Sequence, residues 1–234
     1  MTQFPDGLRT ALFLPQYSED SDGQMHGHGT GVFAIAMTRE LARRLGVEAR
    51  IIGYPTPPEA SAAVKTGACD FGFMGIEPSR QAQFDFTPPI FEFDYAFLVP
   101  PGSAVSGIGD VDQPGVRVAV MRNHASELAL RGRLKHAQAI DAHMPEEAFE
   151  NLRKGRADVF ASPRDVLEGF APRLPGSRVL DEAYGVNRVG IAVRQGRADV
   201  LAIASDFVRD AKASGLVRQI AEGGEVPGYR VAGA

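Results

Sequence analysis

Apolar side chains recur every four residues through the segment after residue 30. Phe33, Met37, Leu41 and Leu45 fall on one face of an α-helix. Gly46 comes directly after the last of them, and glycine is the usual residue just past a helix C-terminus. The pattern therefore predicts an amphipathic helix that ends at Gly46 and buries one face.

Short apolar runs alternate with further helical segments along the rest of the chain. The runs predict strands at 8–14, 50–54, 71–74, 91–97, 115–120, 137–140, 159–161 and 189–193. The segments between them predict helices at 57–66, 125–134, 145–152, 198–213 and 216–221. We expect the polar, glycine-rich stretch from Pro15 to Gly29 to be a long loop. The alternation of strands and helices predicts an α/β fold with largely parallel sheets.

One pattern occurs twice. A predicted helix, a Gly-x-x-Asp segment and a predicted strand follow one another at Gly67 and Asp70, and again at Gly155 and Asp158. The two copies lie on either side of a proline pair at 100–101, as two similar lobes would require. Because both aspartates stand at a helix–strand junction, we interpret them as structural.

Composition excludes several classes of protein. The chain has 234 residues, of which 44% are hydrophobic and 23% charged, as in ordinary globular proteins of one large domain or two small lobes. A net charge of −4 without a long basic run argues against a nucleic-acid partner. Cys69 is the only cysteine, which excludes an intrachain disulfide and a cysteine-rich metal site. We interpret it as a small apolar core residue, and we expect no metal and no cofactor.

The sequence shows neither a membrane span nor an export signal. No apolar run approaches the ~20 residues that a membrane-spanning helix needs. The first residues lack the basic head and apolar core of a signal peptide. We therefore expect either a mature exported chain or a protein that stays inside the cell.

Arg80 is the first candidate for a ligand-binding residue. It follows the predicted strand at 71–74, and ligands of open α/β sheets bind outside the carboxyl ends of strands. Its guanidinium offers a rigid fork of donors that fits a carboxylate or a phosphate. The alternative is an ordinary surface ion pair with Glu77 or Asp85.

The order of several short motifs resembles the bacterial extracellular solute-binding proteins of family 3, the amino-acid type of ABC-transporter receptor. The motifs span nearly the whole chain, and they are Gly7-Leu8-Arg9, Ala42-Arg43-Arg44-Leu45-Gly46, Gly67-x-x-Asp70, Pro78-Ser79-Arg80, Phe86-Thr87-Pro88, Gly115-Val116-Arg117-Val118-Ala119-Val120, Gly155-Arg156-Ala157-Asp158, Val189-Gly190-Ile191-Ala192-Val193 and Ala213-Ser214-Gly215-Leu216. Each motif alone is weak, whereas their order and spacing together are fairly specific.

This resemblance implies a two-lobe periplasmic-binding-protein type II fold with two hinge crossovers. Lobe 1 would comprise residues 1–97 and 190–234, and lobe 2 residues 98–189. A small anionic or carboxylate-bearing ligand would occupy the interlobe cleft. The implied protein is a monomeric, periplasmic receptor that is not an enzyme and delivers its ligand to an ABC permease in the membrane.

The resemblance also implies the site residues. Arg80 would hold the ligand's carboxylate, and groups at the start of the first lobe 2 helix would assist. The remaining candidates for ligand contact are Glu77, Tyr17, Gln16, Gly75, Asn123, His124, Ala125 and Ser162. Alternatives stay open for three of them: Glu77 as a helix-start carboxylate, His124 as a capping or surface residue, and Tyr17 as a loop-packing side chain.

Two departures from the family pattern bear on the ligand. The family places a threonine three residues before the arginine, where this chain has Glu77. It also places an aspartate for the ligand's ammonium about five residues after the lobe 2 Gly-x-x-Asp, where this chain has Pro163, with Asp165 two residues on. Because an unpaired buried ammonium would cost several kcal/mol, we expect a carboxylate other than a standard α-amino acid.

Two other functions compete with the transport receptor. One is an enzyme on the same fold, a cyclohexadienyl or arogenate dehydratase-like protein, with Glu77 beside Arg80 as its acid. The other is a cytoplasmic ligand-sensing domain. We also expect His26 and His28 to be exposed loop histidines, because two imidazoles in a glycine-rich loop do not make a metal site.

Overall fold

The computed structural model describes residues 3–22, 24–224, 226 and 228–233, and it contains both predicted classes of element. The strands are β1 (Leu8–Phe13), β2 (Tyr17–Glu19), β3 (Met25–Gly27), β4 (Ala49–Tyr54), β5 (Phe71–Gly75), β6 (Phe84–Phe86), β7 (Phe91–Val99), β8 (Arg117–Met121), β9 (Gln138–Ala142), β10 (Val159–Pro163), β11 (Arg178–Val179), β12 (Gly185–Arg194) and β13 (Arg230–Val231). The helices are α1 (Thr30–Leu45), α2 (Pro57–Thr66), α3 (Pro78–Gln81), α4 (Ala125–Leu130), α5 (Pro145–Arg153), α6 (Arg164–Phe170), α7 (Ala198–Ala213) and α8 (Leu216–Gly223). The predicted α/β class is confirmed.

The chain forms two compact units. Unit 1 comprises Met1–Glu92 and Arg188–Ala234, and unit 2 comprises Phe93–Asn187. The chain therefore leaves unit 1 within β7 and returns to it within β12. The predicted lobes, 1–97 with 190–234 and 98–189, change over a few residues further along the same two strands, and their hinge role stays a prediction.

Unit 1 is built on the sheet order β4-β1-β5-β12. Strand β1 pairs in parallel with β4 and β5, and β12 pairs antiparallel with β5 and β6. Helix α1 buries the predicted apolar face, including Phe33, Met37 and Leu41, and it ends at Gly46 as predicted. Strand β13 pairs with the first two residues of β7, so the end of the chain belongs to this unit.

Unit 2 has the order β7-β10-β8-β9. Strand β8 pairs in parallel with β9 and β10, and β7 pairs antiparallel with β10 and β11. Its core brings Phe149 of α5 and Phe160 of β10 together with Leu167 of α6. The aromatic residues that alternate along β7 are all buried, and they are Phe91, Phe93, Tyr95 and Phe97.

Three local predictions are corrected. Residues Pro15 to Gly29 are not one loop, because a short 3-10 turn and the β2–β3 hairpin lie there. The hairpin turn is held by Asp20, whose Oδ1 accepts hydrogen bonds from two backbone N–H groups, so apolar periodicity gives no sign of it. Helix α4 ends at Leu130 rather than 134, since Arg131 leaves the helical conformation. Helix α6 was not predicted at all.

None of the helices within the described ranges combines the length and the apolar character needed to cross a membrane.

Candidate functional site

The carboxyl end of the sheet in unit 1 brings together two of the predicted segments. Because β1 and β5 are parallel neighbours, the residues that follow them emerge at the same edge. Gln16 and Tyr17 come shortly after β1, whereas Gly75 ends β5 and leads to Glu77 and Arg80. This edge is where an α/β sheet is expected to bind a ligand.

The segment from Gly75 to Arg80 is folded back on itself. Arg80 is half-buried, and its Nη1 donates a hydrogen bond of 3.4 Å to the carbonyl of Gly75. Glu77 occupies the N-cap position of α3, and its carbonyl accepts from the backbone N–H of Arg80 at 2.9 Å. Pro78 is the first residue of this helix, where its lack of an N–H costs nothing. The guanidinium of Arg80 is therefore held beside the end of β5.

Gln16 is fixed by hydrogen bonds within its own turn. Its Oε1 accepts from the backbone N–H of Phe13 at 3.0 Å, and its carbonyl accepts from His28 at 2.7 Å. A Cβ at Gly31 would lie only 1.8 Å from that carbonyl, so the close approach of α1 requires glycine there. The side-chain oxygen of Gln16 therefore already has a structural role.

Tyr17 lies against the end of β4. Its backbone pairs with Gly27 in the hairpin, and a Cβ at Gly53 would lie 2.1 Å from the Tyr17 hydroxyl. Burial, followed by the charge of Glu19, raises the pKa of Tyr17 above its usual range. These contacts support the loop-packing interpretation of Tyr17, and its contact with a ligand stays a prediction.

Unit 2 repeats this placement at the carboxyl ends of β8 and β10. These strands are parallel neighbours, so Asn123, which follows β8, and Ser162, near the end of β10, lie toward the same edge of the sheet. Asn123 has a φ of 59°, a left-handed conformation that asparagine tolerates better than most residues. Its backbone N–H donates to Glu127 at 3.2 Å. Ser162 is 4% exposed and sits opposite Ala96 of β7.

His124 caps helix α4, and Ala125 is the first residue of that helix. The His124 Nδ1 accepts a hydrogen bond from the backbone N–H of Ser126 at 3.2 Å and lies 2.8 Å from the Ser126 hydroxyl. The capping alternative is therefore observed for His124. A role in ligand binding stays a prediction for all three residues at this helix start.

The histidines of the hairpin make local pairs. His26 Nε2 lies 2.9 Å from Asp20 Oδ2, and His28 Nε2 lies 3.1 Å from the Ser18 hydroxyl. No group of three or more potential metal ligands occurs among the residues that the structure describes. Cys69 is buried, and burial raises the pKa of its thiol.

A cavity of about 750 Å³ in unit 1 contains none of the predicted site residues. Its lining consists of Phe33, Phe91, Val217, Arg218, Ala221, Glu222, Val226, Tyr229, Arg230 and Val231. Phe33 and Phe91 stack there with ring centroids 4.0 Å apart.

Sequence reasoning did not single out Asn187, which is 3% exposed in β12. The signal was present, because a carboxamide stands at an inward position of a strand whose neighbouring inward residues are apolar.

A family model matches residues 11–223, and its description reads "Bacterial extracellular solute-binding proteins, family 3". The glutamine-binding protein of Geobacillus stearothermophilus is 26% identical over 189 residues, which cover 79% of this chain and 70% of that protein. The L-cystine-binding protein TcyJ of Escherichia coli K12 is 24% identical over 216 residues, 89% of this chain and 77% of that protein.

A solved structure with the same fold is that of the ancestral amino acid-binding protein AncCDT-1, described as a precursor of cyclohexadienyl dehydratase. It is 26% identical to this chain with a TM-score of 0.75, and the match covers 92% of this chain and 93% of that one. The predicted type II fold is thereby confirmed. The chain belongs to the bacterial extracellular solute-binding proteins, family 3.

Proposed function

We propose that this protein is the receptor of an ABC transporter and captures a small carboxylate-bearing solute other than a standard α-amino acid. Members of the family bind small ligands outside the cytoplasm and deliver them to ABC permeases. In this proposal the protein acts in the periplasm as a monomer. It carries out no chemistry.

The position of Arg80 carries this proposal. Its guanidinium stands at the carboxyl end of β5, half-buried and tied to the Gly75 carbonyl. A planar guanidinium can hold both oxygens of a carboxylate, and such charge-assisted pairs are roughly twice as strong as neutral hydrogen bonds. Gln16 and Tyr17 share this sheet edge and are the proposed neighbours of the bound solute. In unit 2 the proposed contacts are Asn123, His124, Ala125 and Ser162.

The exclusion of ordinary amino acids rests on the residues that follow β10. The family position for the ammonium partner is Pro163, the last residue of that strand. Asp165 lies two residues further on, in the first turn of α6. Glu77, at the start of α3, adds a negative charge near Arg80 where the family has a neutral threonine. A solute that brings a carboxylate without a charged ammonium fits this set of residues best.

Binding to a panel of pure compounds tests the proposal. The panel should contain L-glutamine, L-arginine, succinate and glutarate, and binding should be measured by thermal shift and calorimetry, since a ligand of the folded form raises its apparent stability. We expect Arg80→Ala to weaken the binding of a dicarboxylate by about 10- to 100-fold. Arg80→Lys should also weaken it, because lysine cannot form the bidentate pair.

Arg50→Ala is the matched control, because Arg50 belongs to the same unit and pairs with Glu48 at an exposed position. It should leave binding unchanged. Tight binding of L-glutamine or L-arginine would refute the exclusion of ordinary amino acids. Undiminished dicarboxylate binding by Arg80→Ala would refute the role of Arg80.

A dehydratase is the second candidate function. It is favoured by the likeness to a protein described as a precursor of cyclohexadienyl dehydratase and by the placement of Glu77 at the start of the helix that carries Arg80. Turnover of prephenate or arogenate, lost in Glu77→Gln, would establish it. Binding of either compound without turnover would favour the receptor.

A further inference from the structure

Three arginines line a small pocket at the amino end of the sheet in unit 1. The pocket has a volume of about 120 Å³, and all of its lining residues belong to unit 1. They are Arg9, Thr66, Gly67, Cys69, Asp70, Val193, Arg194, Arg197 and Val200. Asp70 directly precedes β5, whereas Arg80 follows that strand. The pocket therefore lies at the opposite edge of the sheet from the proposed solute site.

Two of the arginines use only one side of the guanidinium for a carboxylate. Nε and Nη2 of Arg9 donate to Asp70 at 3.1 and 2.8 Å, and the same two atoms of Arg197 donate to Asp199 at 3.0 and 2.9 Å. Neither Nη1 donates a hydrogen bond to any other residue that the structure describes. Each of these arginines therefore keeps at least two N–H groups for a further acceptor.

Arg194, the last residue of β12, is the third arginine. It is exposed, and a Cβ at Gly67 would lie 3.5 Å from its Nη1, so its guanidinium lies against the end of α2. Within the described ranges the side chain of Arg194 has neither an ion pair nor a hydrogen bond. All five of its N–H groups can therefore reach an added acceptor.

The carboxylates around the pocket do not balance all three arginines. Asp70 and Asp199 each offset the arginine to which they are bound. A further carboxylate, that of Asp85, accepts from the backbone N–H of Gly196 at 3.3 Å and does not line the pocket. The positive charge of Arg194 therefore remains without a carboxylate at the pocket.

We propose that this pocket binds a small tetrahedral oxyanion such as phosphate or sulfate. Its volume corresponds to about four water molecules, which is room for one such ion. Guanidinium groups suit these ions because the planar fork directs parallel N–H groups at two oxygens. A bound ion would join Arg194 at the end of β12 to Arg9 of β1 or to Arg197 before α7. The site goes beyond the proposed function, since it does not involve Arg80.

Titration of the full chain with inorganic phosphate or sulfate tests the proposal, with chloride holding the ionic strength constant. We expect saturable NMR shifts of the backbone amides of Gly67, Asp70 and Arg197, which chloride alone does not produce. Arg194→Gln should weaken phosphate binding by about 10- to 100-fold, the loss expected for one charge-assisted hydrogen bond. Arg194→Lys should weaken it less, because lysine keeps the charge and lacks the fork. It also repeats the test should Arg194→Gln not fold.

Arg39→Gln is the matched control. Arg39 is another exposed arginine of unit 1, and it too has no ion pair within the described ranges. This variant should keep the phosphate affinity of the wild type. Arg80→Ala should keep it as well, so failure of the solute proposal and failure of this one can be told apart.

Thermal shift gives a second measurement. Phosphate should raise the melting temperature of the wild type more than that of Arg194→Gln, because an ion bound to the folded form stabilises it. General salting-out by sulfate or phosphate acts on both proteins alike. Equal shifts in the two proteins, or amide shifts that do not saturate, would overturn the proposal. An equal loss of affinity in Arg39→Gln would show attraction by overall charge and would overturn it too.

Discussion

The two units build the same junction from the same three residue types, a glycine, an aspartate and an arginine, and the junction is more deeply buried in unit 1 than in unit 2. In unit 1, Asp70 accepts from the backbone N–H of Arg9 at 3.0 Å and from its Nη2 at 2.8 Å. In unit 2, Asp158 accepts from Arg117 in the same two ways, both at 2.8 Å. Each aspartate follows a helix that ends near a glycine, and each arginine is the first or second residue of the parallel neighbouring strand.

Exposure separates these two ion pairs. The side chains of Arg9 and Asp70 are 29% and 11% exposed, whereas those of Arg117 and Asp158 are both 37% exposed. A pair that is withdrawn from water is expensive to break, because the remaining charge stays buried. A pair at the surface is screened by solvent. The same sequence motif should therefore carry different energies in the two units.

The largest effect is expected for Asp70→Asn. Removal of this carboxylate leaves the Arg9 guanidinium without its partner and should lower the free energy of unfolding by about 3 kcal/mol. Urea denaturation measures the loss, and amide hydrogen exchange in β1 and β5 should locate it in unit 1. Asp181→Asn, at an exposed position, is the control. A loss no larger than that of the corresponding unit 2 variant would show that burial does not govern the pair.

A smaller loss, about 1 kcal/mol, is expected for Asp158→Asn in unit 2. The pH dependence sharpens this prediction, because hydrogen bonds from Arg117 hold the pKa of Asp158 below its usual range. A carboxyl group whose pKa is lower in the folded than in the unfolded protein stabilises the fold at every pH above its unfolded pKa. This contribution is lost as the pH falls through the folded pKa. The difference between wild type and Asp158→Asn should therefore be complete near neutral pH and shrink below about pH 4. A difference that grows on acidification would contradict this assignment.

The smallest effects are expected for two glutamates that pair with residues of their own helix. Glu40 of α1 pairs with Arg43 and Arg44, and Glu150 of α5 pairs with Arg153 and Lys154.

These arrangements bring the pKa of each glutamate to about 2. Glu40→Gln and Glu150→Gln should nevertheless change the melting temperature less than either aspartate variant, because ion pairs between residues three or four apart on one helix contribute only about 0.2–0.5 kcal/mol each. High salt should remove the remaining difference in melting temperature between each variant and the wild type. A clear drop in melting temperature for only one of the two variants would show that the two units differ at these helices as well.

The repeated junction also shows how far the sequence can be interpreted. Gly67 and Gly155 could be recognised as helix ends because both need a left-handed φ, observed at 83° and 67°. The aspartates could be assigned a structural role from their place at the junction. Their arginine partners could not be identified from the sequence, because Arg9 and Asp70 are brought together by strand pairing and not by any local spacing.

The same limit applies to the candidate site. The segment that leads to Arg80 could be predicted, since it is contiguous and ends a strand. The contacts of Gln16 and Tyr17 could not be predicted. They depend on a hairpin held by polar turn contacts, and on the glycines at positions 31 and 53, which are distant in sequence. The inward position of Asn187 in β12 could be predicted from the alternation of the strand, whereas the missing partner of its side-chain oxygen within the described ranges could not, because that depends on the surrounding residues.

The chain passes from unit 1 to unit 2 within β7 and returns within β12. These two passages determine the order in which the units can be completed during synthesis. Unit 2 is one uninterrupted stretch of chain, so all of its residues are synthesised before α7 is translated. Unit 1 begins first and yet finishes last, because β5 waits for β12 as its second neighbour. A nascent chain that ends shortly after Asn187 would thus contain every residue of unit 2, whereas its unit 1 would still lack a central strand.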